Sequence, residues 1–231
     1  MSHLIIGMGE IGKAVRAIID EPVSTIDIGR SHIIDKKIDI MHVCFPYSTE
    51  FEDALNIYID NYKPTHVVIY STVPIGTTKK FNAVHSPIEG KHPELEDSIR
   101  FMERWIGYND KAEGRFFANF FRDLGLRVKL VENSDCTEAL KLLSTTEYGI
   151  NIEFARYKKH VADSIDMDYE LCKEFNREYN KLYRNLGMDK RYQKFVLDAP
   201  DGPKGGHCVV PNAVLLNEQY PNELVKIVGE L

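Results

Sequence analysis

The 231-residue sequence is short of several things, and each shortage removes a class of protein. It has four cysteines, Cys44, Cys136, Cys172 and Cys208, scattered along the chain with no metal-ligand spacing. That excludes a zinc site or a disulfide framework read from spacing, so no metal is expected and free thiols in a reducing compartment are. No apolar run approaches the roughly 20 residues that span a bilayer. Met1 to Ile6 lead straight into a strand-like run, without the regions of a signal peptide, so a cytoplasmic protein is expected. Positive charge is in deficit, with 29 Lys and Arg against 35 Asp and Glu, a net charge of −6 and a pI near 5.8. Nucleic acid and anionic membranes would be repelled, and neither is expected as a partner. There is no internal repeat and no low-complexity segment.

What is present is an ordinary globular composition, 43% hydrophobic and 28% charged, enough for one large domain or two small ones. Residues 3–6 read as an apolar strand, 13–20 as a helix with Val15, Ile18 and Ile19 on one face, and 23–28 as a second strand. Ile38 to Phe45 reads as a third strand, Glu50 to Tyr62 as a helix, His66 to Tyr70 as a fourth strand and Phe81 to His85 as a fifth. A helix over Asp110 to Leu124, stopped by Gly125, precedes a last strand over Arg127 to Val131. Strands alternating with helices predict α/β architecture, an N-terminal Rossmann-type doubly wound parallel sheet. Strand signal then ends. Asp135-Cys-Thr-Glu138 has capping-box spacing and predicts a long helix to about Ala162. A second helix spans Asp168 to Leu186, Asp198 to Gly206 reads as a loop, and short helices follow over Pro211 to Glu218 and Asn222 to Val228. The division is therefore 1–133, a Rossmann domain, and 134–231, a helical dimerisation and substrate domain.

Gly7-Met8-Gly9-Glu10-Ile11-Gly12 is a G-x-G-x-x-G run that follows a strand and opens a helix. The first glycine permits the tight turn, the second lets backbone approach a pyrophosphate, and the third packs helix on strand. The helix N-terminus offers N–H groups and partial positive charge to phosphates. Asp27, 20 residues after Gly7, stands where an acid accepts from the adenine ribose hydroxyls and repels a 2′-phosphate, which favours NAD. Arg30 nearby is of the type that accommodates that phosphate, so NADP stays open. The bland alternative is a structural glycine turn with Asp27 as a strand-end cap.

Further on, Ser71-Thr-Val-Pro-Ile-Gly-Thr77 follows a strand, and with the glycine run it resembles the UDP-glucose/GDP-mannose dehydrogenase family. In that family this segment lies beside the nicotinamide, which adds Ser71 and Thr72 to the cofactor-binding candidates. Three further stretches keep the family's order. Ser86-Pro-Ile-Glu-Gly90 resembles a shortened S-P-E-F-L-x-E-G segment, Glu138-Ala-Leu-Lys141 resembles the start of the central helix, and Gly205-Gly-His-Cys208-Val-Val-Pro211 resembles the segment with the nucleophilic cysteine. The resemblance implies an NAD-dependent oxidation of an alcohol or aldehyde, in the family a sugar derivative. Cys208 would be the nucleophile and Lys141 the oxyanion partner, while Thr72 and Glu89 would place a water. The pattern departs at Thr145, where the family has asparagine, and at Asn212, where it has a proton-transferring aspartate. Family members also continue into a third, nucleotide-binding domain, whereas this sequence ends soon after the cysteine segment. Related β-hydroxyacid dehydrogenases share the Rossmann half and the lysine but lack the cysteine. Three alternatives stay open: a two-electron enzyme of that type, an NAD-binding protein without turnover, and a chain that pairs with a separate substrate-binding subunit in place of the third domain.

Other residues have competing readings. Cys208 follows Gly205-Gly206, which suits close backbone approach, yet free cysteines are commonly core residues. His85 and His207 could be catalytic or structural, and His207 neighbours the cysteine. Tyr148, Tyr157, Tyr179 and Tyr183 read as packing and Cys44 as core, while Cys136 and Cys172 have no functional case. The two long helices exceed what a monomer of this size buries, so a homodimer acting on a small-molecule substrate is expected.

Overall fold

Residues 3–6 are apolar except for one histidine and all four are buried, which is what a strand covered on both faces requires. This strand, β1 (His3–Ile6), is central in a computed structural model that describes residues 1–34, 37–90, 94–201 and 206–229, with backbone only at 206 and 207. Among the described residues the other strands are β2 (Val23–Asp27), β3 (Arg30–His32), β4 (Ile40–Val43), β5 (His66–Ile69), β6 (Val84–His85), β7 (Arg104–Tyr108) and β8 (Val128–Glu132). They form an eight-stranded sheet in the order β3-β2-β1-β4-β5-β6-β7-β8. All neighbours are parallel except β2 with β3 and β6 with β7.

Helices cover both faces. The helices α1 (Glu10–Ile18), α3 (Leu95–Phe101) and α4 (Lys111–Asp123) set Val15, Ile18, Ile99, Phe117 and Phe121 against Ile5, Ile40 and Val68. On the opposite face α2 (Phe51–Tyr62) sets Phe51 and Leu55 against Leu4, Ile6, Met41, Val43 and Ile69. The alternation of Leu4, Ile5 and Ile6 between the two clusters follows from the two-residue period of a strand. The doubly wound α/β architecture read from the sequence is therefore present, with two antiparallel pairings added.

Five readings need correction. Phe81 closes a 3-10 turn (Thr78–Phe81), so the strand expected from 81 begins only at Val84. The elements β3, α3 and β7 lay outside the sequence reading. They are short, and β3 is exposed along its length, so it carries no apolar signal. The capping box at 135–138 does not form: Asn133 Oδ1 accepts from the Asp135 N–H, and Glu138 turns elsewhere. Gly206 is the first helical residue rather than the end of a loop. Pro211 lies inside that helix instead of opening one.

The remaining helices are α5 (Ser134–Ser164), α6 (Tyr169–Asn185), α7 (Gly206–Gln219) and α8 (Glu223–Gly229). The chain divides into two compact units, Met1–Lys141 and Leu142–Leu231, a division that falls inside α5. The reason is local: Glu138 and Lys141 bond back to loops of the first unit. In the second unit α7 and α8 close on α5 at Gly149, where a Cβ would collide with Val228 and stand 2.6 Å from Val209. Glycine inside a helix costs about 1 kcal/mol relative to alanine, offset here by that close approach.

Buried polar groups run through the first core. His3 Nδ1 lies 3.1 Å from His42 Nε2, and His42 Nδ1 lies 3.1 Å from the Tyr70 hydroxyl. Phe120 packs against both imidazoles. Burial holds the pKa of His3 and His42 below the ordinary histidine value and that of His85 down to about 3. His42 and His85 fold neutral, and above their unfolded value near pH 6.5 they add no pH dependence. Below it the unfolded chain takes up protons that the folded chain refuses, so stability falls as pH drops. Urea denaturation between pH 7.5 and 5.5 should show a loss of about 1 kcal/mol for each of His42 and His85 per pH unit below that value. A flat profile over that range would show that the histidines take up protons in the fold as readily as in the unfolded chain.

Candidate active site

The glycine run forms the loop between β1 and α1. Gly7 has φ +90°, and its N–H donates to the Ile26 carbonyl at 2.8 Å. A Cβ on Gly7 would stand 2.6 Å from the Phe45 nitrogen, and one on Gly12 would collide with the Gly7 carbonyl oxygen. At Gly9 a Cβ would meet nothing within 4 Å. The first and third glycines are thus required by the protein's own packing, whereas the second borders open space. Gly9 is the N-cap of α1 and, having no side chain, places no capping oxygen over its first turn. This fits a pyrophosphate at a helix N-terminus. Met8 and Ile11 are half-buried and pack on the first core cluster, and Glu10 pairs with Lys13 at 3.5 Å.

Asp27 is exposed at the C-terminal end of β2. The two-residue turn Ile28-Gly29, with Gly29 at φ +70°, returns the chain so that Arg30 is its cross-strand partner. The two residues therefore stand opposite one another across this turn at the sheet edge, which the spacing alone did not reveal.

The segment after β5 is fixed from three sides. The Ser71 hydroxyl donates to the Phe45 carbonyl at 2.6 Å, tying it to the end of β4, and Thr72 beside it is half-buried. The Glu138 carboxylate, with no solvent exposure, accepts from the N–H groups of Gly76 at 2.6 Å and Thr78 at 2.7 Å. Desolvation raises its pKa above the ordinary carboxylate value against the pull of those two donors. His85, at the end of β6, has Nδ1 2.9 Å from the Thr137 hydroxyl and Nε2 3.3 Å from the Ser71 carbonyl. It is fully buried and neutral, which makes it a structural tie rather than an acid-base group.

Lys141 and Glu89 come together. The Lys141 ammonium donates to the Ile88 carbonyl at 2.8 Å and stands 3.3 Å from a Glu89 carboxylate oxygen. The lysine side chain is 13% exposed and the glutamate 35%, so the pair borders solvent on its glutamate side. Arg104, which the sequence reading missed, holds the start of this segment. Its guanidinium donates to the carbonyls of Ser86 and Pro87 at 2.9 and 2.6 Å and to the Ser86 hydroxyl at 3.0 Å. Burial draws its pKa down to about 10. An arginine opening a strand gives no periodic signal that it will turn inward.

In the second unit Cys208 is exposed in the first turn of α7, and Asn212 lies one turn further along the same helix. Asn212 is 5% exposed and its side-chain nitrogen has no hydrogen-bond partner, as is true of the buried Thr146 hydroxyl on α5. Thr145 is half-buried. Gly205 and the His207 side chain lie outside the described residues. Cys44 is core, with its thiol pKa raised by burial. Tyr179 and Tyr183 pack as expected with ring centroids 4.6 Å apart, but Tyr148 and Tyr157 are exposed. Among the described residues no cluster of His, Cys, Asp and Glu could hold a metal, and no helix is long and apolar enough to cross a membrane.

A glycine turn at the C-terminal edge of such a sheet defines the Rossmann-type dinucleotide fold. No protein-family model matches the chain, and no curated protein matches it by sequence. Solved structures do match in fold. The UDP-D-ManNAc dehydrogenase from Pyrococcus horikoshii superposes with a TM-score of 0.81 at 18% identity, covering 99% of this chain and 67% of that one. For the UDP-N-acetyl-mannosamine dehydrogenase Cap5O from Staphylococcus aureus the figures are 0.72, 14%, 99% and 66%. The 3-hydroxyisobutyrate dehydrogenase of Mycobacterium tuberculosis gives 0.69 at 10% identity, with 99% of this chain and 91% of that one covered. The chain thus spans about two thirds of the nucleotide-sugar dehydrogenases and most of the hydroxyacid enzyme.

Glu138 offers a direct test of how the site is held. Glu138→Ala leaves two N–H groups without an acceptor and should lower unfolding free energy by about 3 kcal/mol, read by urea denaturation. Glu138→Gln, which keeps an acceptor oxygen, should lose less. Equal stability of Glu138→Ala and the parent would mean that water serves those amides as well.

Proposed function

We propose that this chain is a nicotinamide-dependent oxidoreductase that uses NAD and acts on an alcohol or aldehyde, a sugar derivative being the favoured class. The observation that carries the reading is the open space at Gly9, set between two glycines that the packing itself demands and beside an uncapped helix N-terminus. A structural turn needs Gly7 and Gly12 but has no use for Gly9. Gly7, Gly9 and the first turn of α1 would hold the pyrophosphate, and Asp27 the adenine ribose. Asp27 would repel a 2′-phosphate, and Arg30 beside it is the residue that would soften that preference.

The cofactor, when bound, supplies a hydride acceptor. Lys141 supplies a fixed cation: its ammonium is largely withdrawn from water, and in such surroundings it stabilises negative charge on a substrate oxygen more strongly than a solvated lysine does. Glu89, with part of its carboxylate exposed, takes up a proton or places a water with Thr72. Cys208 attacks an aldehyde carbon as thiolate, which retains the aldehyde for a second oxidation. Asn212 has no basic atom for the proton transfer that the resemblance assigns to its position.

That last point favours a second reading, a two-electron dehydrogenase of the β-hydroxyacid type in which Lys141 acts and Cys208 does not. It has support in the 91% coverage of the hydroxyisobutyrate enzyme. The chain is also proposed to be a homodimer. On α6 the side chains of Leu171, Phe175 and Leu182, with Leu186 at its C-cap, are all more than half exposed and recur at helical spacing, an apolar stripe that a second copy would cover. Sedimentation equilibrium reads this directly, and a monomer at micromolar concentration would sink it.

Calorimetric titration with NAD⁺, NADH and the 2′-phosphorylated pair tests the cofactor site. The unphosphorylated pair should bind, and Asp27→Ala should weaken it about tenfold through loss of charge-assisted hydrogen bonds. Absence of binding by all four would end the reading. With a substrate found on an alcohol and aldehyde panel, Cys208→Ser separates the two chemistries: four-electron oxidation stops at the aldehyde, whereas the two-electron enzyme turns over unchanged.

A further inference from the structure

The second unit contains a cavity of about 530 Å³, lined by α5, α6 and residues 193–197. Residues 193–197 have no regular secondary structure, yet they are strapped in place. Asn180 makes two hydrogen bonds with the Lys194 backbone, both at 2.8 Å. Asn176, itself 7% exposed, donates to the Phe195 carbonyl at 2.8 Å, and the Tyr169 hydroxyl donates to that of Leu197 at 2.9 Å. Beyond them Lys173 pairs with Asp198 at 2.8 Å and Arg156 donates to the Pro200 carbonyl at 2.9 Å. A wall held by so many side chains keeps its shape, and the space it encloses falls within the roughly 300–1,000 Å³ of small-ligand sites.

The lining has one sign of charge. It includes Lys158, Lys173 and Lys194 and no aspartate or glutamate. Lys173 is neutralised by Glu170 and Asp198. Neither Lys158 nor Lys194 has a carboxylate partner among the described residues. Each ammonium instead rests on an aromatic face, Lys158 at 4.9 Å from the Phe154 ring centre and Lys194 at 3.8 Å from that of Tyr179. A ring face orients a cation without neutralising it. The rest of the lining is apolar or uncharged, with Phe154, Ala155, Phe195 and Leu197 prominent.

We propose that this cavity is a second binding site, separate from the dinucleotide cleft, for a small organic anion: a carboxylate, sulfonate or phosphate monoester carried on an aromatic or acyl body. The two unpaired ammonium groups take the anion and the apolar wall takes the body. The assignment does not rest on the oxidoreductase reading, since every residue in it lies within the second unit.

The test is a fluorescence titration of the full chain with 1-anilinonaphthalene-8-sulfonate, with excess ADP-ribose present to cover the dinucleotide cleft. One saturable site per chain is expected, weakened by salt and displaced by octanoate. The double variant Lys158→Gln, Lys194→Gln should bind the probe at least tenfold more weakly while its melting temperature stays that of the parent. Lys159→Gln, one residue along α5 but outside the lining, should bind normally. Equal affinity in the double variant overturns the proposal, because the probe then sits on the apolar stripe of α6 or elsewhere. Absence of saturable binding overturns it too. So does a site that disappears in step with dimer formation seen by sedimentation, which would make the cavity an interface between copies.

Discussion

Glu138 is fully buried and spends its carboxylate on two backbone amides, those of Gly76 and Thr78, in the loop that follows β5. Its neighbour Thr137 meets His85 at the end of β6, and Lys141, one turn on, meets the carbonyl of Ile88. The first two turns of α5 thus grip each of the segments that leave the sheet after β5 and β6. Ligands of open α/β sheets bind beyond the carboxyl ends of the strands, where such segments gather. Everything proposed for Lys141, Glu89 and Thr72 depends on this grip. The packing is close enough that a Cβ on Gly107 of β7 would collide with the Thr137 hydroxyl and stand 2.9 Å from the Ser134 Cα.

Polar groups buried around these strands carry a desolvation cost, and the structure meets it by saturation. Arg104 is 2% exposed and donates to three oxygens of the Ser86–Pro87 segment. His42 shares its two nitrogens between His3 and Tyr70. The exceptions are informative. Thr78 and Asp135 in the first unit and Thr146 and Asn212 in the second each keep an unpaired buried polar atom, and an unsatisfied buried group costs on the order of 1–3 kcal/mol. Asn212 is also the position at which the family pattern has an acid, so the sequence departure and the unpaired amide coincide at one residue.

Legibility followed the strength of the local signal. The strands β1, β4 and β5 are short apolar runs buried on both faces, and their positions could be read to within a few residues. The helices α4 and α6 carry aspartate caps at Asp110 and Asp168 whose side chains do accept from first-turn amides. By contrast β7 opens with a charged residue and contains Gly107, and β3 is entirely exposed, so neither has the pattern of a strand. Of the site, the glycine run, Asp27, Lys141 and Glu89 were visible as motifs. Arg104 was not, because a lone arginine declares nothing about whether it turns to solvent or inward. Glu138 was seen but misread: capping-box spacing describes a bond to the helix's own start, and the loop amides 60 residues earlier in the chain offered better partners.

Sequence alone determined the apolar strands β1, β4 and β5, the helices α4 and α6, the glycine turn with its acid at the end of β2, and the lack of an apolar run long enough to cross a membrane, because these depend on periodicity, backbone sterics and run length within a few residues. Tertiary structure decided what needs distant segments to meet. It paired Arg30 with Asp27, set Lys141 against Glu89, put the unit boundary inside α5, and strapped residues 193–197 over α6 to enclose a cavity with two unpaired cations. None of these has a local signature, since hydrogen-bond partners and buried charge are chosen by the packed fold and not by neighbours in the chain.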